Sequence, residues 1–158
     1  MINRIEYRKG DATEPVANGN KIIVHVCNDI GRWGKGFVVA VSRKWKAPEN
    51  QYREWYKDAT GFVLGAVQFV QVEEDVWIAN LIGQHKINKG VDGVPPIRYE
   101  AIEKGLFQVA EKAGSLNASV HMPRIGCGLA GGKWELIEPL ISRTLSAFGI
   151  HTMVYDFE

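Results

Sequence analysis

The sequence predicts an α/β fold, and three observations carry that prediction. Short apolar runs rich in β-branched residues alternate with longer stretches of helical apolar spacing. Glycine-rich loops follow two of those runs. Only the two runs at 66–72 and 76–81 are joined directly, through Glu73, Glu74 and Asp75, as a hairpin within an otherwise alternating chain.

In order, residues 2–8 read as the first strand and 21–27 as the second, each followed by turn-forming residues. Residues 37–45 and 50–59 have helical spacing. The hairpin runs follow, and then 84–97, QHKINKGVDGVPPI, whose Gly, Asp and paired prolines predict a long surface loop of the kind that often carries function. Residues 98–113 place Ile102, Leu106, Val109 and Ala110 on one face. Residues 118–122 are a strand, 134–148 set Leu136, Ile137, Leu140, Ile141 and Leu145 on one face, and 151–156 close the chain as a strand. Both amphipathic helices are expected to cover a sheet.

The chain of 158 residues reads as one domain, 1–158, large enough to bury roughly 68–70% of its unfolded surface without a cofactor or disulfide. Nineteen Lys and Arg against eighteen Asp and Glu leave a net charge of +1, so general nucleic-acid binding is not expected. No run is long enough to span a bilayer and no leader is apparent, which predicts a cytoplasmic protein. Cys27 and Cys127 read as small buried residues rather than a disulfide framework. No His/Cys cluster has metal spacing. His25 and His121, inside apolar runs, read as structural, and His85 as a solvated surface residue.

Function concentrates in the glycine loops. In 121–134, HMPRIGCGLAGGKW, Gly126, Gly128, Gly131 and Gly132 lie between a strand and a helix start, where unpaired N–H groups favour an anion. The second such loop, NDIGRWGKG, occupies 28–36. Neither fits the Walker or GxGxxG pattern. Ligands of open α/β sheets bind beyond the carboxyl ends of the strands, so both loops and the residues after Leu81 should meet at one crevice for a phosphate-containing ligand.

Along nearly its whole length the chain also resembles the macrodomain family of ADP-ribose-binding modules and hydrolases. The resemblance rests on Lys9-Gly10-Asp11, on Val24-His25-Val26-Cys27-Asn28 running into Gly31-Arg32-Trp33-Gly34-Lys35-Gly36-Phe37, on Met122-Pro123-Arg124-Ile125-Gly126-Cys127-Gly128-Leu129, and on Val154-Tyr155-Asp156-Phe157. It implies a three-layer α/β/α fold with a central mixed sheet. It also implies that Asp11, beside the N–H of Ala12, accepts a hydrogen bond from the adenine amino group, the alternative being a turn or capping aspartate. Asn28 would reach the distal ribose or, as a common turn residue, merely shape its loop.

Gly34, Lys35, Gly36, Phe37 and Val38 correspond to one ligand loop. Arg124, Ile125, Gly126, Cys127, Gly128, Leu129 and Ala130 correspond to the other. Tyr155 and Phe157 fall at the adenine end, where Phe157 would stack on the purine or only close the core. Trp33 would shield the sugar or serve as a packing plug.

Two departures bear on mechanism. The branch sharing Met-Pro-Arg-Ile-Gly-Cys-Gly-Leu, which includes terminal ADP-ribose protein glycohydrolases, uses a lysine after the central strand and an aspartate after Gly-Cys-Gly-Leu. Here those positions are Gln84 and Ala130, which can form no Schiff base and transfer no proton. Water-mediated chemistry would then fall to Asn28, Asp29 and Gln84, with His85, Arg98 and Tyr99 farther out; Asp29 is a candidate base or a loop-shaping residue.

The expected function is removal of ADP-ribose from modified proteins, at esters of Glu or Asp, by a monomer whose partners are ADP-ribose or ADP-ribosylated proteins. A non-catalytic ADP-ribose reader and an ADP-ribose 1″-phosphate phosphatase are the alternatives.

Overall fold

A computed structural model describes residues 4–157. Among them, six strands form one sheet: β1 (Glu6–Lys9), β2 (Lys21–Asn28), β3 (Val67–Glu73), β4 (Val76–Gln84), β5 (Ser119–Met122) and β6 (Thr152–Asp156). The order across the sheet is β1-β6-β5-β2-β4-β3. All neighbours pair in parallel except β3, which runs antiparallel to β4 as the hairpin requires. Helices α1 (Phe37–Lys44) and α2 (Ala47–Asp58) cover one face, and α3 (Tyr99–Leu116) and α4 (Trp134–Thr144) cover the other. This is the expected three-layer α/β/α arrangement around a mixed sheet.

The central strand has no solvent face, and its alternation feeds two cores. Ile22 and Val24 join the core under α3 and α4, with Val26 packed against it. Ile23 and Cys27 face the other layer, where Trp33, Val38, Val41, Tyr52 and Ile82 pack with Cys27. Each fully buried Ile or Leu contributes roughly 1.5–3 kcal/mol, and Ile22, Ile23, Leu81, Ile82, Ile102 and Leu106 are all wholly buried.

Element boundaries shift for identifiable reasons. The first strand spans Glu6–Lys9 rather than 2–8, and Ile2 lies outside the described residues. Helix α2 starts early because Pro48 sits in its first turn, where no N–H is needed. Helix α3 continues to Leu116 and stops at Asn117, which adopts a left-handed φ of 52°. The predicted helix over 134–148 breaks after Thr144, whose hydroxyl donates back to the Leu140 carbonyl, and a 3₁₀ turn at Ser146–Phe148 follows.

Among the described residues, every buried side-chain nitrogen or oxygen except Ser146 Oγ has a hydrogen-bond partner. Asn80 donates from Nδ2 to the Pro48 carbonyl and to Gln68 Oε1, which leaves its Oδ1 to accept from His25 Nε2 at 2.6 Å. His121 lies between Ser119 Oγ at 2.8 Å and the Tyr155 hydroxyl at 2.7 Å. Both histidines are structural, as expected.

Burial holds His25 at about 4 and His121 at about 3, below the ordinary 6.5. Between those values the unfolded chain binds protons that the folded chain refuses, so the neutral imidazoles stabilise fully above 6.5 and progressively less on acidification. Thermal midpoints recorded from about pH 7.5 down to about pH 4 should fall steadily, and His121→Gln should flatten the slope. A midpoint independent of pH over that window would contradict neutral burial.

Candidate functional site

The five parallel strands end at one edge of the sheet, at Lys9, Asn28, Gln84, Met122 and Asp156. From β2 the chain turns to α1 on one face; from the neighbouring β5 it turns to α4 on the other. The strand order therefore reverses between β2 and β5, and the two glycine loops flank that point, the crevice where ligands of open α/β sheets bind.

The first loop is organised from within. Asn28 is buried, and its Oδ1 accepts from the N–H of Ile30 at 3.1 Å, the N–H of Arg32 at 3.2 Å and the Tyr52 hydroxyl at 2.8 Å. Its Nδ2 donates to the Arg32 carbonyl at 2.6 Å. Gly31 turns with φ 74° directly over Tyr56, where a Cβ would come within 2.3 Å of the ring. Trp33 is buried beneath the loop, donates to Ser42 Oγ, and packs against His25 and Tyr52, so the structure makes it a packing plug. Gly34, Lys35 and Gly36 are exposed and lead into α1 at Phe37 and Val38, whose opening turn has no side-chain cap.

In the second loop, Gly132 donates to the Gly126 carbonyl at 2.8 Å. A Cβ on Gly132 would lie 2.3 Å from that same oxygen, so this closure needs glycine. Gly128, with φ 81°, faces open space. Leu129 is exposed, whereas Ala130 is buried in the core and its carbonyl accepts the N–H of Ile97 at 3.1 Å. Ile125 is buried and Cys127 half-buried. Burial pushes both cysteine thiols up, with Arg124 opposing the shift at Cys127, so neither is poised as a thiolate.

Arg124 does not reach into the crevice as a free cation. It grips Asp156 with Nε at 2.7 Å and Nη2 at 3.0 Å, and its guanidinium lies 5.0 Å from the ring centres of both Tyr7 and Trp134. The pairing lowers the Asp156 carboxyl and raises Arg124. Tyr155 is buried, and its hydroxyl accepts from the N–H of Val16 at 2.9 Å. Phe157, next to Asp156, is 83% exposed. Asp11 uses Oδ1 to accept from the N–H and hydroxyl of Thr13, at 2.8 and 2.7 Å; its Oδ2 accepts nothing among the described residues. Ala12 is buried against Met153 and Tyr155.

At the far end of the crevice the loop over 84–97 is tied to the first loop. The N–H of Asp29 donates to the Gln84 carbonyl at 3.1 Å, and its carboxylate contacts His85 Nδ1 at 2.7 Å and accepts the N–H of Lys86 at 2.8 Å. Gln84 Nε2 donates to the Lys86 carbonyl at 2.9 Å. Held from both sides, Lys86 adopts a left-handed φ of 60°. His85 is exposed, as expected of a surface histidine, and is also paired with Asp29. Arg98 donates to the carbonyls of Pro95, Pro96 and Ile97, and the Tyr99 hydroxyl accepts the N–H of Lys133, so both brace loops.

Sequence reasoning missed Tyr52 and Lys86. The first reaches Asn28 across 24 positions, and no local pattern marks the second. Among the described residues, no group of three or more His, Cys, Asp or Glu is placed to hold a metal, and no helix is long and apolar enough to cross a membrane.

No family model matches the chain. It is 34% identical over 164 residues to the chromodomain-helicase-DNA-binding protein 1-like of Danio rerio, covering 97% of this chain but 16% of that protein, so it spans about a sixth of that relative's length. It is 26% identical to an ADP-ribose 1″-phosphate phosphatase of Lodderomyces elongisporus, over 96% of this chain and 99% of that one. A macrodomain protein from Streptomyces coelicolor superposes with a TM-score of 0.88 and 55% identity over 98% of this chain and 100% of that chain. With more than half its residues shared over the whole length of that structure, and the same layered sheet, the chain belongs to the macrodomain family.

Proposed function

We propose that the crevice between the two glycine loops binds ADP-ribose and that the protein hydrolyses ADP-ribose from modified proteins, at ester linkages to Glu or Asp. The observation that carries the binding reading is the pair of glycine-shaped loops facing each other at the reversal of strand order, with Asp11 and Phe157 at one end and Asn28, Asp29 and Gln84 at the other. Backbone N–H groups of the two loops, over 34–38 and 126–130, take the diphosphate, the Cys127 N–H excepted because it donates to the Arg124 carbonyl. Asp11 Oδ2, which has no donor among the described residues, accepts from the adenine amino group, and the exposed Phe157 ring covers the purine. The side chains of Arg124 and Trp33 support these surfaces from behind.

At the distal ribose, Asn28 positions the first loop and offers its second Nδ2 hydrogen, which no described residue accepts, to a sugar hydroxyl. With Gln84 and the buried Ala130 unable to supply covalent or acid–base chemistry, the nucleophile is water. The Asp29 carboxylate fixes the imidazole of His85 through Nδ1, which leaves Nε2 to take the proton of that water. Hydrolysis then yields ADP-ribose and a free carboxylate. An ester asks little of such a site, which is why a carboxylate linkage is preferred.

The reader alternative draws on the same two missing catalytic groups, and the phosphatase alternative on the Lodderomyces relative. Incubation with a Glu-labelled ADP-ribosylated protein separates them. Release of the label supports the hydrolase, prolonged retention with ADP-ribose binding supports the reader, and phosphate release from ADP-ribose 1″-phosphate supports the phosphatase.

Two variants test the roles. Asp11→Ala should weaken calorimetric binding of ADP-ribose by about 1–3 kcal/mol, because a charged acceptor is lost from the adenine amino group; unchanged affinity would refute the adenine placement. His85→Gln should lower the rate of label release by roughly 10²–10⁴-fold while ADP-ribose affinity stays put. Full turnover in that variant would remove His85 from the chemistry.

A further inference from the structure

Beside the distal end of the crevice lies a cavity of about 670 Å³ formed by the first glycine loop and the loop after β4. Ile30, Ile87 and Val91 give it apolar walls, and its charged lining is cationic: Arg32, Lys86, Lys89 and Arg98 stand beside His85, against the single carboxylate of Asp92. Arg98 is spent on carbonyls, but Arg32, Lys86 and Lys89 are exposed, and no ion-pair partner is recorded for their side chains among the described residues. The position of this charge is built in. Lys86 is held in its left-handed conformation by Asp29 on one side and Gln84 on the other, which is an arrangement a solvated loop has no reason to keep. Asp29 also fixes His85, so the cavity and the reacting end of the crevice share one scaffold.

We infer that this cavity holds the modified protein itself, and that it selects acidic segments: carboxylates flanking the ADP-ribosylated Glu or Asp sit against Arg32, Lys86 and Lys89. The inference rests on the crevice binding ADP-ribose. Two of the three free cations are lysines, mobile point charges that suit carboxylates whose spacing varies from one target to another, rather than the fixed fork that bidentate phosphate recognition favours.

The test compares four probes by calorimetry: free ADP-ribose, a dimer of ADP-ribose, a peptide ADP-ribosylated on one Glu with acidic neighbours, and the same peptide with Gln and Asn neighbours. At low salt the acidic peptide should bind about three- to tenfold more tightly than the neutral one. That advantage should vanish in Lys86→Glu/Lys89→Glu, shrink in Lys86→Gln/Lys89→Gln, and shrink for the wild-type protein at about 0.5 M salt. Free ADP-ribose should bind both variants as it binds the wild type, which also certifies their fold. Equal affinity for the two peptides, or an advantage that survives charge reversal, overturns the inference. So does a dimer of ADP-ribose outcompeting the acidic peptide in a lysine-dependent way, since the cavity would then serve the polymer. Failure of free ADP-ribose to bind the wild-type protein would instead overturn the underlying reading of the crevice.

Discussion

The parallel pairing of β2 on both of its edges is the constraint on which the rest of the structure depends. With β4 on one side, β5 on the other and helices over both faces, β2 has no residue that can face water along its middle. Its odd and even positions must therefore satisfy two different cores. That requirement fixes the register, because a one-residue slip would exchange Ile22 and Val24 with Ile23 and His25. His25 tolerates its place because Asn80 Oδ1, on the neighbouring strand, accepts a hydrogen bond from its Nε2. The same register delivers Asn28 to the end of the sheet opposite Gln84, so the geometry of the crevice follows from the packing of the strand behind it.

The strand that delivers the first loop does not hold it alone. The Tyr52 hydroxyl donates to both the carbonyl and Oδ1 of Asn28, tying α2 to the loop it does not itself contain. On the other side, the second loop is braced by the segment after β4: a Cβ on Gly126 would meet Ile97 at 2.3 Å, and one on Gly131 would meet Pro95 at 2.8 Å. The glycines of the second loop are thus required by their neighbours as much as by any ligand. This is a different use of glycine from Gly128, whose surroundings are open. A glycine-rich string read as an anion cradle combines both uses.

Much of the fold was legible because its strands are apolar runs and its helices are amphipathic, which are properties of single segments. The layers, the hairpin and the convergence of the two loops follow from alternation and from the rule that parallel strands share an end. What was not legible depends on pairs remote in the chain. Asp29 and His85 are 56 positions apart, and neither carries a local mark of the other. Trp33 between glycines looked as fit for a ligand as for a core, and only the proximity of His25, Tyr52 and Ser42 decides for the core. The break after Thr144 escaped the helical spacing because Leu145 stays buried on the same face beyond the break.

Net charge illustrates the same limit in electrostatic terms. A total of +1 leaves no strong long-range field of one sign. It says nothing of distribution within a Debye length, roughly 8 Å at physiological salt. Some acidic side chains elsewhere are engaged with cations, as Asp156 is with Arg124, Asp75 with Lys21 and Glu103 with Arg143. Arg32, Lys86 and Lys89 have no such compensation where the loop after β4 meets the first glycine loop. The folding of that loop therefore converts a nearly neutral chain into a surface with a local cationic concavity. Asp29 and Gln84, at the carboxyl ends of the strands, hold the backbone of Lys86 from both sides, so the placement of that charge follows from the same contacts that tie the loop after β4 to the first glycine loop.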